Sequence, residues 1–400
     1  MTIGLFKNQL NNIKNHTKNH SKSAVLLVFA FFIFLFIPML NINTSEMAQS
    51  KKENRMLAKY VPLFGPEGIN LNYGKNFETW FSDRFWGRER TIKSFSRLRN
   101  KILFRNGNTA VFVGNDGWLY TKRFNSIAMY QNNNLFSDDE LNRITDNMKK
   151  ILQSAKQKNT KIYLVLSNDK ESIYPEYYPN EVKKIGKISR REQVIAHLHS
   201  KLPELRIVSS TQDLLAHKDQ GKTVFCKTGT HMNNTGSWIE YQSLMREIGK
   251  DFSQAKPYHI SNIKIESKYE CDEDIISSIN IENYDKRHML NDVYTIKSPK
   301  AVKISHFDGA EDEYKENDHF QNKHAKSPYK ILMMGDSFAN RYSSYLAETF
   351  SEFYSIYIGA GRDFSWNDRE LEYVKNEKPD IIVFATTERF LSRLLTIELP

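Results

Sequence analysis

Apolar and polar positions along the chain fall into three patterns. Residues Ala24 to Leu40 read AVLLVFAFFIFLFIPML, an apolar run without a charge, near the lower length limit for a membrane-crossing helix. Further on, short apolar runs alternate with stretches of helical period. Leu141, Ile144, Met148, Ile151, Leu152 and Ala155 recur at helical spacing behind Ser137-Asp138-Asp139-Glu140, a capping box. Ile162-Tyr163-Leu164-Val165-Leu166 then predicts a short buried strand. A second capping box, Ser189-Arg190-Arg191-Glu192, opens a helix with Val194, Ile195, Leu198 and Leu202 on one face. Leu205 to Val208 reads as a strand, Thr223 to Cys226 as a weaker one, and Trp238, Tyr241, Met245 and Ile248 mark another helix. In the third pattern, Lys250 to Pro328, polar residues break the rhythm, with short strands plausible around Ile260 to Ile265 and Val293 to Ile296. The alternation returns with Ile331-Leu332-Met333-Met334, a helix after Ser337, strands at Tyr354 to Ile358 and Ile381 to Phe384, and a helix around Asp368 to Asn376.

Strands alternating with helices predict βαβ crossovers and an α/β domain with a mostly parallel sheet covered by helices on both faces. It is expected over residues 61–400, with 250–328 as a polar insertion. A basic tail (1–23), the apolar segment (24–40) and a polar stalk (41–60) precede it. Near the start of the domain, Asn115-Asp116-Gly117 between Val111-Phe112-Val113 and Trp118-Leu119-Tyr120 has the turn chemistry of a hairpin. No internal repeat or heptad is present.

Composition narrows the class. With 40% hydrophobic and 12% aromatic residues the chain can bury a real core, which excludes a disordered protein. The net charge of +10 suits an anionic neighbour, such as phospholipid headgroups or an acidic polymer, or simply a solvated surface. Zinc-finger spacing, a Walker loop and RNP aromatics are absent, so nucleic acid is not an expected partner. Lys7, Lys14, Lys18 and Lys22 precede the apolar run. By the positive-inside rule the N-terminus stays cytoplasmic. Asn41 to Ser45 makes a poor cleavage site, so an uncleaved signal anchor is expected rather than a removed leader. That places the domain outside the cytoplasm. Cys226 and Cys271 have no metal-ligand spacing; they are either a pair in an oxidising compartment or two free thiols. No metal or cofactor is expected.

The chemistry concentrates at two junctions. Gly335-Asp336-Ser337-Phe338 directly follows an apolar run, which puts a serine hydroxyl at the carboxyl edge of the sheet, where open α/β sheets place their sites. Lys227-Thr228-Gly229-Thr230-His231-Met232-Asn233-Asn234-Thr235-Gly236 offers a histidine at a second strand-to-helix junction. A serine needs a base to become a nucleophile, and an imidazole is the usual one. Alone, Ser337 reads equally well as a helix N-cap and His231 as a packing residue. Together, in matching contexts, they point to acyl transfer.

The order of motifs is similar to that of the alginate O-acetyltransferase AlgX/AlgJ group, whose catalytic domains resemble SGNH hydrolases. The resemblance rests on Lys52-Glu53-Asn54-Arg55 with Leu57-Ala58 and Pro62, then Gly114-Asn115-Asp116-Gly117-Trp118-Leu119-Tyr120. It continues through Asn168-Asp169-Lys170 with Tyr174-Pro175-Glu176 and Pro179, the His231 segment, Gly335 to Phe338, and Pro379-Asp380 with Glu388-Arg389. It implies an SGNH-hydrolase-like (flavodoxin-like) fold and O-acetylation of a cell-envelope or secreted polysaccharide in the periplasm. Ser337 would be the nucleophile and His231 the base, with a membrane-bound O-acyltransferase supplying acetyl groups. A polysaccharide acetyl-esterase and a non-catalytic polysaccharide-binding component are the alternatives. One departure matters. Gly229 stands where the family has an aspartate two residues before the histidine, and Met232 where it has tryptophan. Such an aspartate orients the imidazole and stabilises the imidazolium. Either another carboxylate substitutes, with Asp336 and Asp169 as candidates, or a Ser–His dyad operates, or catalysis is lost. Asn340, Arg362, Asp169 and Lys170 are further candidates for oxyanion or substrate binding, each with a simpler reading as a cap or a surface group. Glycan contacts are expected from the insertion.

Overall fold

The computed structural model describes residues 24–45, 49–50, 55–65, 68–88, 90–91, 94, 111–269, 271, 274–275, 290–306, 317–359, 362–366 and 368–398. Lys7, Lys14, Lys18, Lys22 and the Lys52-Glu53-Asn54 motif lie outside them. The chain divides into two compact units, residues 1–105 and 106–400. In the first, residues 24–36 are helical with exposed side chains. Among the described residues no helix is long and apolar enough to cross a membrane. The same unit contains helix α1 (Tyr73–Arg84). The buried Arg84 ends it, and its guanidinium donates to the carbonyls of Ala58 (2.6 Å), Asn43 (3.0 Å) and Ser45 (2.6 Å).

The second unit opens with the expected hairpin, β1 (Val111–Val113) and β2 (Leu119–Thr121), joined by a 3₁₀ turn at Asn115–Gly117. Then follow α2 (Asp138–Gln157), β3 (Lys161–Ser167), α3 (Arg190–Lys201), β4 (Arg206–Val208), α4 (Thr211–Asp219) and α5 (Asn234–Asp251). Both capping boxes form, at Ser137 with Glu140 and at Ser189 with Glu192. Further along come β5 (Ile263–Tyr269), β6 (Leu290–Ile296), β7 (Val302–His306), β8 (Asp318–Gln321), β9 (Ser327–Gly335), α6 (Ser337–Asn340), α7 (Ser343–Thr349), β10 (Phe350–Tyr357), α8 (Asp368–Glu377) and β11 (Ile381–Thr387). Shorter helical turns lie between some of these elements and after β11.

Seven strands form one mixed sheet in the order β7-β8-β10-β9-β11-β3-β4. From β10 to β4 neighbours are parallel; β8 joins β10, and β7 joins β8, antiparallel. Period two sends successive residues of a strand to opposite faces, and both faces are buried. Leu332 and Met334 pack with α2, α3 and α8 residues such as Ile144, Leu198 and Val374. Ile331 and Met333 pack with Tyr241, Leu244 and Ile248 of α5 and with Leu346 of α7. Burial on both sides explains why β9 and β11 read as continuous apolar runs.

Within the polar stretch 250–328, β7 and β8 extend the edge of the sheet, while β5 and β6 pair as a separate ribbon. One expectation needs correction. Thr223 to Cys226 is not a strand but makes one antiparallel bridge, Phe225 to Met232. Its polar backbone groups go elsewhere, the Val224 carbonyl to Asn233 N–H and the Cys226 carbonyl to the Lys170 ammonium.

Candidate active site

The central strand β9 ends at Gly335, and space there is tight. A Cβ at 335 would lie 2.4 Å from the Ala339 Cβ and 3.3 Å from that of Ala385, so only glycine lets the chain turn directly beneath α6. Asp336 follows and is buried. One of its oxygens caps α6 by accepting from Phe338 N–H (3.0 Å). The other accepts from the N–H and hydroxyl of Thr387, both at 2.9 Å, and lies 3.5 Å from Arg393 Nη1. The carboxylate thus ties the turn to the end of β11, and Ser337 is left half-buried at the carboxyl edge of the sheet.

His231 arrives by a different route. Its loop is closed by Cys226 N–H donating to the His231 carbonyl (3.1 Å) and by the Phe225–Met232 bridge. The buried Lys170 ammonium donates to the carbonyls of Cys226 (3.0 Å), Lys227 (3.3 Å) and Gly229 (2.5 Å). Asn233 caps α5 through Gly236 N–H (3.0 Å). Met232, in the family's tryptophan position, is buried in a cluster with Trp118, Tyr120, Tyr174 and Phe225. The result is a 2.8 Å contact between His231 Nε2 and Ser337 Oγ, across 106 positions of sequence.

The other imidazole nitrogen faces a residue that sequence reasoning missed. Asp274 Oδ2 lies 3.7 Å from His231 Nδ1. The Thr230 hydroxyl donates to the same carboxylate oxygen at 2.5 Å and sits 3.4 Å from Nδ1, while Thr230 N–H donates to Asp274 Oδ1 at 2.9 Å. Asp274 follows Cys271 by three residues, and Cys271 forms a disulfide with Cys226. The only signal for it in the sequence was its position three residues after Cys271, which means little until that pairing is known.

The remaining candidates are placed as follows. Asp336 and Asp169, considered as substitutes for the aspartate missing at 229, have other partners. Asp336 is the cap just described, and Asp169 pairs with Arg389, whose Nε donates to Oδ1 at 2.7 Å and whose Nη2 approaches the same oxygen. Asp169 and Lys170 are not a solvated loop pair; both are about 1% exposed. The buried Glu388 accepts from Asp169 N–H (2.8 Å) and Ser172 Oγ (2.6 Å). Arg362 bonds to Glu370 (2.6 Å) and the Ser365 carbonyl (2.9 Å), bracing its own loop. Asn340 ends α6, its N–H on the Asp336 carbonyl (3.2 Å).

A cleft of about 230 Å³ opens over the pair, lined by Ser337, His231, Thr230, Asp274, Arg123 and Arg389 among others. Burial works against the charge of Arg389, but the neighbouring carboxylates, Asp169 first and then Glu171 and Asp336, together hold the guanidinium above its ordinary value. Two buried carboxyls are raised as well, which favours their neutral forms. Burial, then the Asp169 charge, raises Glu171 to about 7, and burial raises Glu240, bonded to Ser167 and Ser210, to about 7. Among the described residues no group of three or more His, Cys, Asp or Glu side chains could hold a metal ion.

Residues 111–365 match the family described as "SGNH hydrolase-like domain, acetyltransferase AlgX". A curated relative, the probable alginate O-acetylase AlgJ of Pseudomonas fluorescens, is 26% identical over 184 residues. That match spans 45% of this chain and 43% of the relative, so less than half of the relative's length is represented. Among solved structures, Bacillus cereus PatB1 with a sulfonyl adduct superposes with a TM-score of 0.50 at 16% identity, covering 72% of this chain and 97% of that one. The O-acetyltransferase domain of Pseudomonas putida AlgJ gives a TM-score of 0.44 at 14% identity, covering 72% and 94%.

Proposed function

The chain belongs to the AlgX family of SGNH hydrolase-like acetyltransferase domains, and from that premise we propose that it moves acetyl groups onto hydroxyls of a cell-envelope or secreted polysaccharide through an acyl-Ser337 intermediate. The supporting observation is the 2.8 Å contact of His231 Nε2 with Ser337 Oγ at the floor of a cleft. Nε2 takes the hydroxyl proton as Oγ bonds to the acyl carbonyl carbon. The tetrahedral intermediate then expels the donor's leaving group, which receives the proton from the imidazolium. In the second half, Nε2 takes the proton of a glycan hydroxyl as that oxygen attacks the acyl carbon. The Oγ–C bond breaks, and Ser337 recovers its proton.

The test uses the full-length chain in detergent with p-nitrophenyl acetate. Wild type is expected to release p-nitrophenolate and Ser337→Ala to release none; equal rates would discredit the acyl-enzyme. An esterase shares the first half-reaction, so an added oligosaccharide separates the two: acetylated glycan supports transfer, acetate alone supports the esterase. A chain inactive on both probes would favour a polysaccharide-binding component, the reading that Gly229 raises.

Residues 24–40 act in this reading as an uncleaved inner-membrane anchor, with 1–23 cytoplasmic and the domain at 61–400 periplasmic. There it would receive acetyl from a membrane-bound O-acyltransferase. The Cys226–Cys271 disulfide agrees with an oxidising compartment. Alkaline phosphatase fused after residue 60 is expected to be active in a bacterial host; an inactive fusion, with a cytoplasmic reporter active at the same junction, overturns the topology.

A further inference from the structure

The aspartate that would steady His231 is missing from its motif, yet a carboxylate occupies the Nδ1 side of the ring. We propose that Asp274, acting through Thr230, is the positioning residue for His231, and that the Cys226–Cys271 disulfide delivers it, so that turnover depends on that bond. This inference rests on the acyl-Ser337 reading above.

Chain connectivity alone does not bring Asp274 here. It lies 43 residues beyond His231, after all of α5 and β5. The disulfide bonds residue 271, three positions before Asp274, to residue 226, five positions before His231. Both cysteines flank the residues they bring together. The docking is specific at the far end. Thr230 presents its N–H to Oδ1 and its hydroxyl to Oδ2, so the carboxylate is held at two points. With its proton directed at Oδ2, the threonine oxygen turns a lone pair outward and can accept from Nδ1–H 3.4 Å away. A proton on Nδ1 leaves Nε2 as the acceptor facing Ser337, the tautomer a general base requires. When the ring takes the serine proton, the carboxylate at 3.7 Å stabilises the new charge. The other side of the loop is held by a cation: the Lys170 ammonium donates to the carbonyls of residues 226, 227 and 229.

The arrangement predicts a coupled pattern. Asp274→Asn keeps the shape and removes the charge. It is expected to lower kcat for p-nitrophenyl acetate roughly 10- to 1000-fold with KM little changed, less than the ~10⁴ loss for a fully buried triad aspartate because this carboxylate is about one-third exposed. Thr230→Val should give most of the same fall, and Thr230→Ser should recover it. Dithiothreitol, itself oxidised to its cyclic disulfide, converts the two cysteines to thiols. It should slow wild type by about the factor of Asp274→Asn and leave Asp274→Asn unchanged, because both changes break one connection. A kcat for Asp274→Asn within about twofold of wild type overturns the proposal, as does reduction that slows both proteins equally. Loss of serine-dependent turnover in wild type would instead overturn the acyl-enzyme. The present proposal is then decided by the imidazole ¹⁵N shifts of His231: an Nδ1–H tautomer lost on reduction and in Asp274→Asn supports it, and one unchanged in both overturns it.

Discussion

The two sides of the cleft are built by different physics. On the serine side the position follows from the sheet. β9 is buried on both faces, Gly335 lets it pass beneath α6, and Asp336 fastens the turn to β11. Short-range sequence and regular hydrogen bonding suffice. On the histidine side no sheet strand leads into the loop. The loop is assembled from one bridge, a buried ammonium, a helix cap and a disulfide, with partners from segments around residues 120, 170 and 271. Ser337 is held by the scaffold, whereas His231, arriving on irregular chain, is held by discrete tethers. Each tether can therefore be cut singly while the sheet stays intact.

That contrast can be broken first at the chemistry. Ser337→Ala and His231→Ala should each reduce kcat by roughly a thousandfold or more, and the double variant should be no worse than either, because groups acting as one unit are non-additive. Losses that multiply would mean the two sides do not act together. Removing the ammonium tests the histidine side alone. Lys170→Met leaves three loop carbonyls without their charged donor, and is expected to cost about 2–3 kcal/mol in urea unfolding and to slow turnover more than it weakens substrate binding. A variant with wild-type stability and kcat would show that the loop is held by something else. The smallest effect is in pH. Glu171 and Glu240 have folded-state pKa values of about 7, above their ordinary 4.5, because burial disfavours their charged forms. The folded protein therefore keeps these protons longer than the unfolded chain does. Their contribution to stability is complete below about 4.5 and is lost as pH rises through about 7. Urea midpoints should fall across that window, and Glu171→Gln with Glu240→Gln should flatten the slope. A slope unchanged by both would place the titration elsewhere.

Much of this was legible in the linear chain. Period and capping boxes placed α2, α3 and the buried strands, because local propensity and tertiary burial agree there. The strand-Gly-Asp-Ser junction announced where Ser337 sits, between the end of β9 and the start of α6. The errors lie where the backbone is irregular. Thr223 to Cys226 reads as a strand because it is apolar and β-branched, but its carbonyls are spent on Lys170 and α5. Asp169 and Lys170 read as substrate-binding candidates or as surface charges, because residues of this type in a loop usually meet solvent or ligand. Here Asp169 bonds with Glu388 and Arg389 and Lys170 with the carbonyls of the 226–229 loop, partners that only the folded chain can bring together.

What residue order alone determined about this protein is the alternation of elements, the two-faced burial of the sheet and the placing of a serine at a strand-to-helix junction. These are consequences of neighbours a few positions apart. The distance between that serine and His231, the pairing of the two cysteines and the arrival of Asp274 beside the ring belonged to the tertiary structure. Each joins residues 43 to 106 positions apart, and contacts of that range depend on how the whole core packs, which no local pattern encodes.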